Sequence, residues 1–451
     1  MASPAPRGSS LFSGLALVFV GVLLLLHNYH GLSIGRVFGH WWPLIIILWG
    51  VVKLFELTMA RRSGDQTASR ISTGEILLVL GLLSLLGLVV VGDIVKGKLP
   101  AEIFRGGNDN YGFDLNAEPK NVPSDARISI RNSRGEITVR PSEEPQIRVA
   151  GKKNIKAWSG TEADHIASAV SIEVVQNGDG YEVRPVNASG GDSRVSVDME
   201  ITVPKKASLT IRGEKGDVSV SDMGKSVSIS TTSGDIDVRD TTGDVSVDTR
   251  KGKIQVSDTK GNVKISGHGG EINVSSASGG LTIEGEFYGP IRADKIAKGV
   301  RFVSQRTDLT LTQLTGHLET GSGNLEIADA PGNLTLRTNS YNVSIENASG
   351  KVQVDNRNGD VEVRFSSPPK EDAQITNSSA PITLSLPESS TFQITADCHS
   401  CDIDSEFSAD SLQKTTTQSG DSHLEGKYGN GRGPKITLKT SYGSISIRKI
   451  S

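Results

Sequence analysis

Gly234-Asp-Ile-Asp-Val238, Gly243-Asp-Val-Ser-Val247, Gly252-Lys-Ile-Gln-Val256, Gly261-Asn-Val-Lys-Ile265 and Gly270-Glu-Ile-Asn-Val274 repeat one phrase with glycines nine residues apart. An earlier copy stands at Gly216-Asp217-Val-Ser-Val220. After a looser patch the phrase returns at Gly323, Gly332, Tyr341, Gly350 and Gly359, again every nine residues. A fixed internal period decides the fold before any local propensity does.

In each copy two aliphatic residues flank one polar residue, the alternation of a strand with one face inward. The expected core positions are Val218 and Val220, Ile236 and Val238, Val245 and Val247, Ile254 and Val256, Val263 and Ile265, and Ile272 and Val274. These β-branched residues suit a pleated strand. Gly216, Gly234, Gly243, Gly252, Gly261, Gly270, Gly323, Gly332, Gly350 and Gly359 supply the turns, joined by Asp217, Asp235 and Asp244, whose side chains bond nearby backbone. Nine residues give one strand and one turn but enclose no core. Two such arms, about eighteen residues, make one coil of a parallel β-solenoid. A sandwich of antiparallel hairpins is the competing arrangement, disfavoured because sandwich loops vary in length. Eighteen-residue stacking places Asp217, Asp235, Lys253 and Glu271 above one another on one turn. Ser226, Asp244, Asn262 and Gly280 then line the other.

The 451 residues allow several structural units, and the net charge of −3 gives no bulk attraction for nucleic acid. Glycine is abundant at 50 residues and aromatics are sparse at 5%, as turn-rich strands require.

The first 95 residues differ in kind. After a polar segment 1–10, uncharged apolar runs predict three membrane helices at about 11–29, 41–57 and 76–95. A cleaved signal peptide is the alternative for the first, but no small-residue cleavage site follows Leu26. Arg61, Arg62 and Arg70 in the second loop place it, and the N-terminus, in the cytoplasm and everything after about residue 95 outside. Trp41 and Trp42 are expected at the outer membrane interface. His27, His30 and His40 lack a carboxylate or cysteine to complete a metal site.

The pattern Ser13-Gly14-Leu15, Val20-Gly21-Val22 and the run Trp42-Pro43-Leu44-Ile45-Ile46-Ile47, over residues 9–60, resembles the transmembrane region of LiaI/LiaF-type bacterial envelope proteins. Beyond it the chain reads as a linker at 96–124, a β-rich lead-in region at 125–211 with one helix near Trp158–Val170, solenoid repeats at 212–365, and further β repeats or a cap at 366–451. The strand Met199–Pro204, the repeated Gly-Asp-aliphatic phrase and the closing Gly443-Ser-Ile-Ser-Ile447 are similar to a bacterial family described as adhesins with Gly-Asp-Ile repeats. That resemblance spans about 125–451 and implies the solenoid fold; activity is not implied, since fold does not fix function.

Cys398 and Cys401 form a Cys-x-x-Cys in the exported region, where a local structural disulfide is the leading reading over redox or metal chemistry. Calcium-winding nonapeptides need Gly-Gly-x-Gly-x-Asp, whereas here one glycine serves each turn and Lys253 takes an Asp position. No phosphate loop, nucleophile elbow or metal-protease helix occurs, so neither a cofactor nor an enzyme is expected. A polysaccharide-cleaving β-helix is the remote alternative, because nothing singles out a carboxylate pair. The expected role is that of a membrane-anchored envelope protein. Its solenoid senses or scaffolds while its helices contact another envelope protein; the alternative is an adhesin-like surface for a glycan or protein.

Overall fold

The structure is a computed structural model that describes residues 109–187, 193–321 and 323–451. The three expected membrane helices, Trp41 and Trp42 lie outside the described residues. Among the described residues, no helix is long and apolar enough to cross a membrane.

Residues 107–451 form one unit of two long β-sheets, to which successive arms of each coil contribute alternately. Ser208–Lys215, Val227–Ser233, Val245–Thr249, Val263–Gly269 and Leu281–Phe287 lie side by side in one sheet. Val218–Ser221, Ile236–Arg239, Ile254–Thr259, Ile272–Ala277 and Ile291–Ile296 do so in the other. All these pairings are parallel, and Val218 faces Ile236 while Val245 faces Val263, a spacing of eighteen residues. The inward Val, Ile and Leu of both sheets merge into one continuous core. Val218, Val220, Ile236, Val238, Val245, Val247, Ile254, Val256, Val263, Ile265, Ile272 and Val274 are all buried in it.

The turn residues do more than face water. Asp217 accepts the backbone N–H of Asp235 at 2.8 Å, and Asp235 accepts that of Lys253 at 2.8 Å. On the opposite corner Asp244 accepts from Asn262 at 2.7 Å, and Asn262 from Gly280 at 3.0 Å. Each Asx side chain therefore satisfies a backbone donor of the next coil, where the ladder would otherwise leave it open. The glycines answer two different constraints. Gly234 has φ of 139°, and a Cβ there would also strike the Gly216 carbonyl. Gly243 has no positive φ, yet a Cβ would collide with the Lys225 carbonyl carbon of the coil beneath. Left-handed φ is instead taken at a different corner by Asp222, Asp240 and Asp258, residue types that tolerate it.

Inside the corners stands a polar column. Thr231 and Thr249 meet at 3.2 Å, and farther along Asn356 and Asn377 each donate to the Gly359 carbonyl at 2.9 Å.

Three features depart from a simple sequential spiral. The loose patch between the two repeat runs holds one reversed coil: Leu314–Thr320 pairs antiparallel with Ile291–Ile296 and with Asn324–Ala328. Thr307–Leu311 does the same between Val300–Val303 and Leu334–Thr338. Stack order also differs from chain order at both ends. Arg127–Arg134 lies between Gly180–Val186 and Ser208–Lys215, so the first coil of the sequence is not the first of the stack. Lys435–Thr440 likewise lies between Ala373–Asn377 and Phe392–Cys398. Coils therefore extend through 125–211 and 366–451, beyond the repeats visible at 212–365.

Each end of the core is closed by bulk that the repeats lack. At one end helix α1, Gly160–Ala169, is capped by Ser159, which accepts the Glu162 N–H at 3.2 Å. It buries Ala163 and Ala167 against Ile155, Ala157, Tyr111 and Phe113. At the other end Phe392, Phe407 and Tyr428 pack with ring centroids 4.8–5.5 Å apart. Aromatic side chains bury far more area than valine and so fill an end that no further coil covers.

Val245→Asp should destabilise the 107–451 unit by about 3 kcal/mol or more, because it buries an unpaired charge. Ser246→Asp, exposed one residue along, should change stability by less than about 0.5 kcal/mol. Equal losses in urea denaturation would refute the alternation. Deleting 435–451 removes an interleaved coil and should strip hydrogen-exchange protection from 373–405. Retained protection there would mean that the interleaving is not structural.

Candidate functional site

Repeated valines and isoleucines leave little room for chemistry, so a site must come from the outward columns or the stack ends. The densest cluster of titratable groups lies near the C-terminal end. Phe392–Cys398 pairs antiparallel with Ser422–Tyr428, which sets Asp397 against His423. One step farther, His399 meets Asp421. The two pairs have opposite polarity across the hairpin, at 2.7 Å for His423 Nδ1 to Asp397 Oδ1 and 2.6 Å for His399 Nδ1 to Asp421 Oδ1. Lys439, on the parallel neighbour, reaches Asp397 Oδ2 at 3.9 Å. Together they line an open cleft of ≈ 430 Å³ with Thr417 and Ser441.

Cys398 and Cys401 sit at its edge, joined as a disulfide with their Cα atoms 5.4 Å apart. Cys398 takes the corner column's position, since its register partner is Thr440 and that of Thr440 is Asn377. Its sulfur lies 3.2 Å from the Gly443 carbonyl. Cys401 stands where other copies have glycine, and Ile403 after it pairs with Ile445. Both cysteines are thus parts of a coil.

Hydrogen bonding sets the electrostatics. Asp397 raises the His423 pKa above the ordinary imidazole value, with Glu425 adding at 3.5 Å from Nε2. The Ser400 N–H, 3.0 Å from Asp421, is the main cause that holds that carboxyl below the usual carboxylate range; the Ser419 hydroxyl adds to it. Lys414 lowers Asp402 in the same way at 2.6 Å. Both ring nitrogens of His423 face carboxylates, which favours its protonated form. Among the described residues no hydroxyl is hydrogen-bonded to either imidazole, and no group of three His, Cys, Asp or Glu is placed to hold a metal. The arrangement can bind protons and clip one hairpin to its neighbour.

The structure places the expected turn residues along the corners of the stack, where Gly359 accepts from the cleft-lining Asn377 at 2.9 Å, and brings none of them together as a site. Asp217, Asp235 and Asp244 are occupied by backbone donors. His423 and Asp397 carry no signal in the sequence. They are separated by 26 residues, and strand Ser422–Tyr428 lacks the repeat phrase.

Residues 125–283 and 267–448 match the Toastrack DUF4097 family in two successive spans. The chain belongs to this family. The spans overlap at 267–283, and the second contains the reversed coil. Residues 11–54 match the LiaI-LiaF-like transmembrane region, which anchors this Toastrack protein to the membrane. No curated protein matches the chain. Similar solved structures include a candidate cell adhesion protein from Clostridium sporogenes ATCC 15579, at 11% identity and TM-score 0.16, covering 76% of this chain and 100% of the other. A candidate adhesin from Bacteroides fragilis NCTC 9343 has 12% identity, TM-score 0.17 and coverage of 76% and 97%. One from Parabacteroides distasonis ATCC 8503 has 9% identity, TM-score 0.20 and coverage of 76% and 98%. At such scores the likenesses support nothing further.

Because the folded pKa of His423 is raised, its contribution is fully present below the unfolded value of about 6.5 and is lost as pH rises through the folded value. Hairpin 412–428 should therefore lose hydrogen-exchange protection, corrected for intrinsic rate, as pH rises above about 6.5. His423→Gln should flatten that profile. An unchanged profile in the variant would remove His423 as its source.

Proposed function

We propose that this Toastrack protein is a non-enzymatic envelope component whose solenoid is a rigid extracytoplasmic scaffold or sensor and whose membrane segment contacts another envelope protein. The observation that supports this most is the union, in one chain, of a LiaI-LiaF-like transmembrane region with a Toastrack domain. One apolar helix would be enough to hold a domain at a membrane. Three apolar runs in residues 11–95 exceed that need, and the excess is explained by contacts within the bilayer. The positions of Arg61, Arg62 and Arg70 support an exported solenoid, and the disulfide fits an oxidising compartment.

The mechanism follows from stiffness. A stack in which each coil bonds only to its neighbours transmits force or orientation along its axis without needing a hinge. Its ends, where coils interleave, are the places where a load would be felt. The His423–Asp397 pair at one end makes that end respond to pH.

Cross-linking of the tagged protein in its native membrane tests the reading, with a control in which residues 1–95 are replaced by an unrelated single-helix anchor. An envelope protein recovered only with the native segment is the expected result. Recovery of the same protein or glycan with both chains would overturn it and move function to an adhesin-like solenoid surface.

A further inference from the structure

One outward column, the position after the second aliphatic residue of each strand, runs along the sheet that contains His423. Where charges meet in this column they are opposite in sign. Asp308 lies against Arg337, and Arg337 pairs with Asp355 at 3.6 Å. Lys439, Asp397 and His423 continue the alternation.

At the N-terminal end the rule breaks. Arg131 is the register partner of Arg212. Arg184 follows Val183, the partner of Ile130, and so comes alongside Arg131 from the other side. Three guanidinium groups thus occupy consecutive strands, roughly 10 Å from first to last at ~4.8 Å per strand. Like charges directly opposite one another destabilise a sheet, so this run needs compensation. The chain supplies part of it. Glu182, only 6% exposed, meets Arg131 at 3.1 Å and accepts from Asn177 at 3.3 Å. Glu173 meets Arg184 at 3.6 Å. Among the described residues no carboxylate pairs with Arg212, which is exposed. All three arginines line a hollow of ≈ 290 Å³, together with buried Glu182 and exposed Glu214.

We propose that this hollow binds a linear anionic polymer bearing phosphate or carboxylate groups along its backbone. An arginine fork takes either group bidentately. One phosphate meets at most two neighbouring guanidiniums, whereas three in a row match successive anionic groups on one chain. Glu182 fixes Arg131 in the middle of the row, and three arginines against Glu182 and Glu214 leave the lining with one net positive charge. The inference rests on the envelope reading only for where such a polymer would be met, because binding itself is measured on the purified chain.

The test uses the full-length protein in nanodiscs of zwitterionic lipid, with labelled inorganic polyphosphate as probe. Polyphosphate should bind with an affinity that falls as salt rises, and orthophosphate at equal phosphate concentration should displace it poorly. The double variant Arg184→Gln with Arg212→Gln should weaken binding at least about tenfold, while Arg337→Gln leaves it unchanged. Arg131 is kept, because its loss would strand buried Glu182 and unfold the region. Overturning results are undiminished binding by the double variant, equal competition by orthophosphate, or binding to anionic-lipid vesicles without binding to polyphosphate. The membrane-exchange experiment above can fail without touching any of these outcomes.

Discussion

Through both runs of repeats a residue lies beside its equivalent eighteen positions away, at the strand spacing set by the backbone hydrogen bond. That constraint shapes the rest of the molecule. With ~4.8 Å between equivalent atoms, like side chains must pack on like. Aliphatic residues do so favourably, which is why Val245 sits between Val227 and Val263. Amides do so through their neighbours' carbonyls, as at Asn356 and Asn377. Charges do so at a cost, and the outward column of Asp308, Arg337 and Asp355 alternates accordingly. The turns follow the same constraint: Asp217 and Asp235 each close the next coil's open donor.

A stack built this way has two vulnerable places, its ends. The backbone of a last coil is an open template for another strand. Here the chain answers by threading its first and last repeats inside the stack and placing antiparallel strands beyond them. Helix α1 closes a small apolar cluster of its own at one end, and Phe392, Phe407 and Tyr428 pack over the aliphatic core at the other. The chemistry of interest lies toward these ends, the carboxylate-held histidines toward one and the arginine row toward the other, where the residues are released from the repeat. Between them the reversed coil at 307–320 lies within the second of the two family spans.

The sequence by itself determined the coil. Glycine period, alternation and β-branched choice together specified strand, turn, core face and the eighteen-residue register, because each is a local property repeated many times. The helix near Trp158–Val170 was legible for the same reason, with Ala163 and Ala167 on one face. Only the tertiary structure decided the order of coils in the stack, the reversal in the middle, and the meeting of His423 with Asp397 or Arg131 with Arg212. Parallel strands of one composition can pair with any sufficiently similar neighbour, so adjacency in such a stack is settled by which ends can be closed. Nothing local in Lys435–Thr440 or Arg127–Arg134 states that each will be clasped between two other coils.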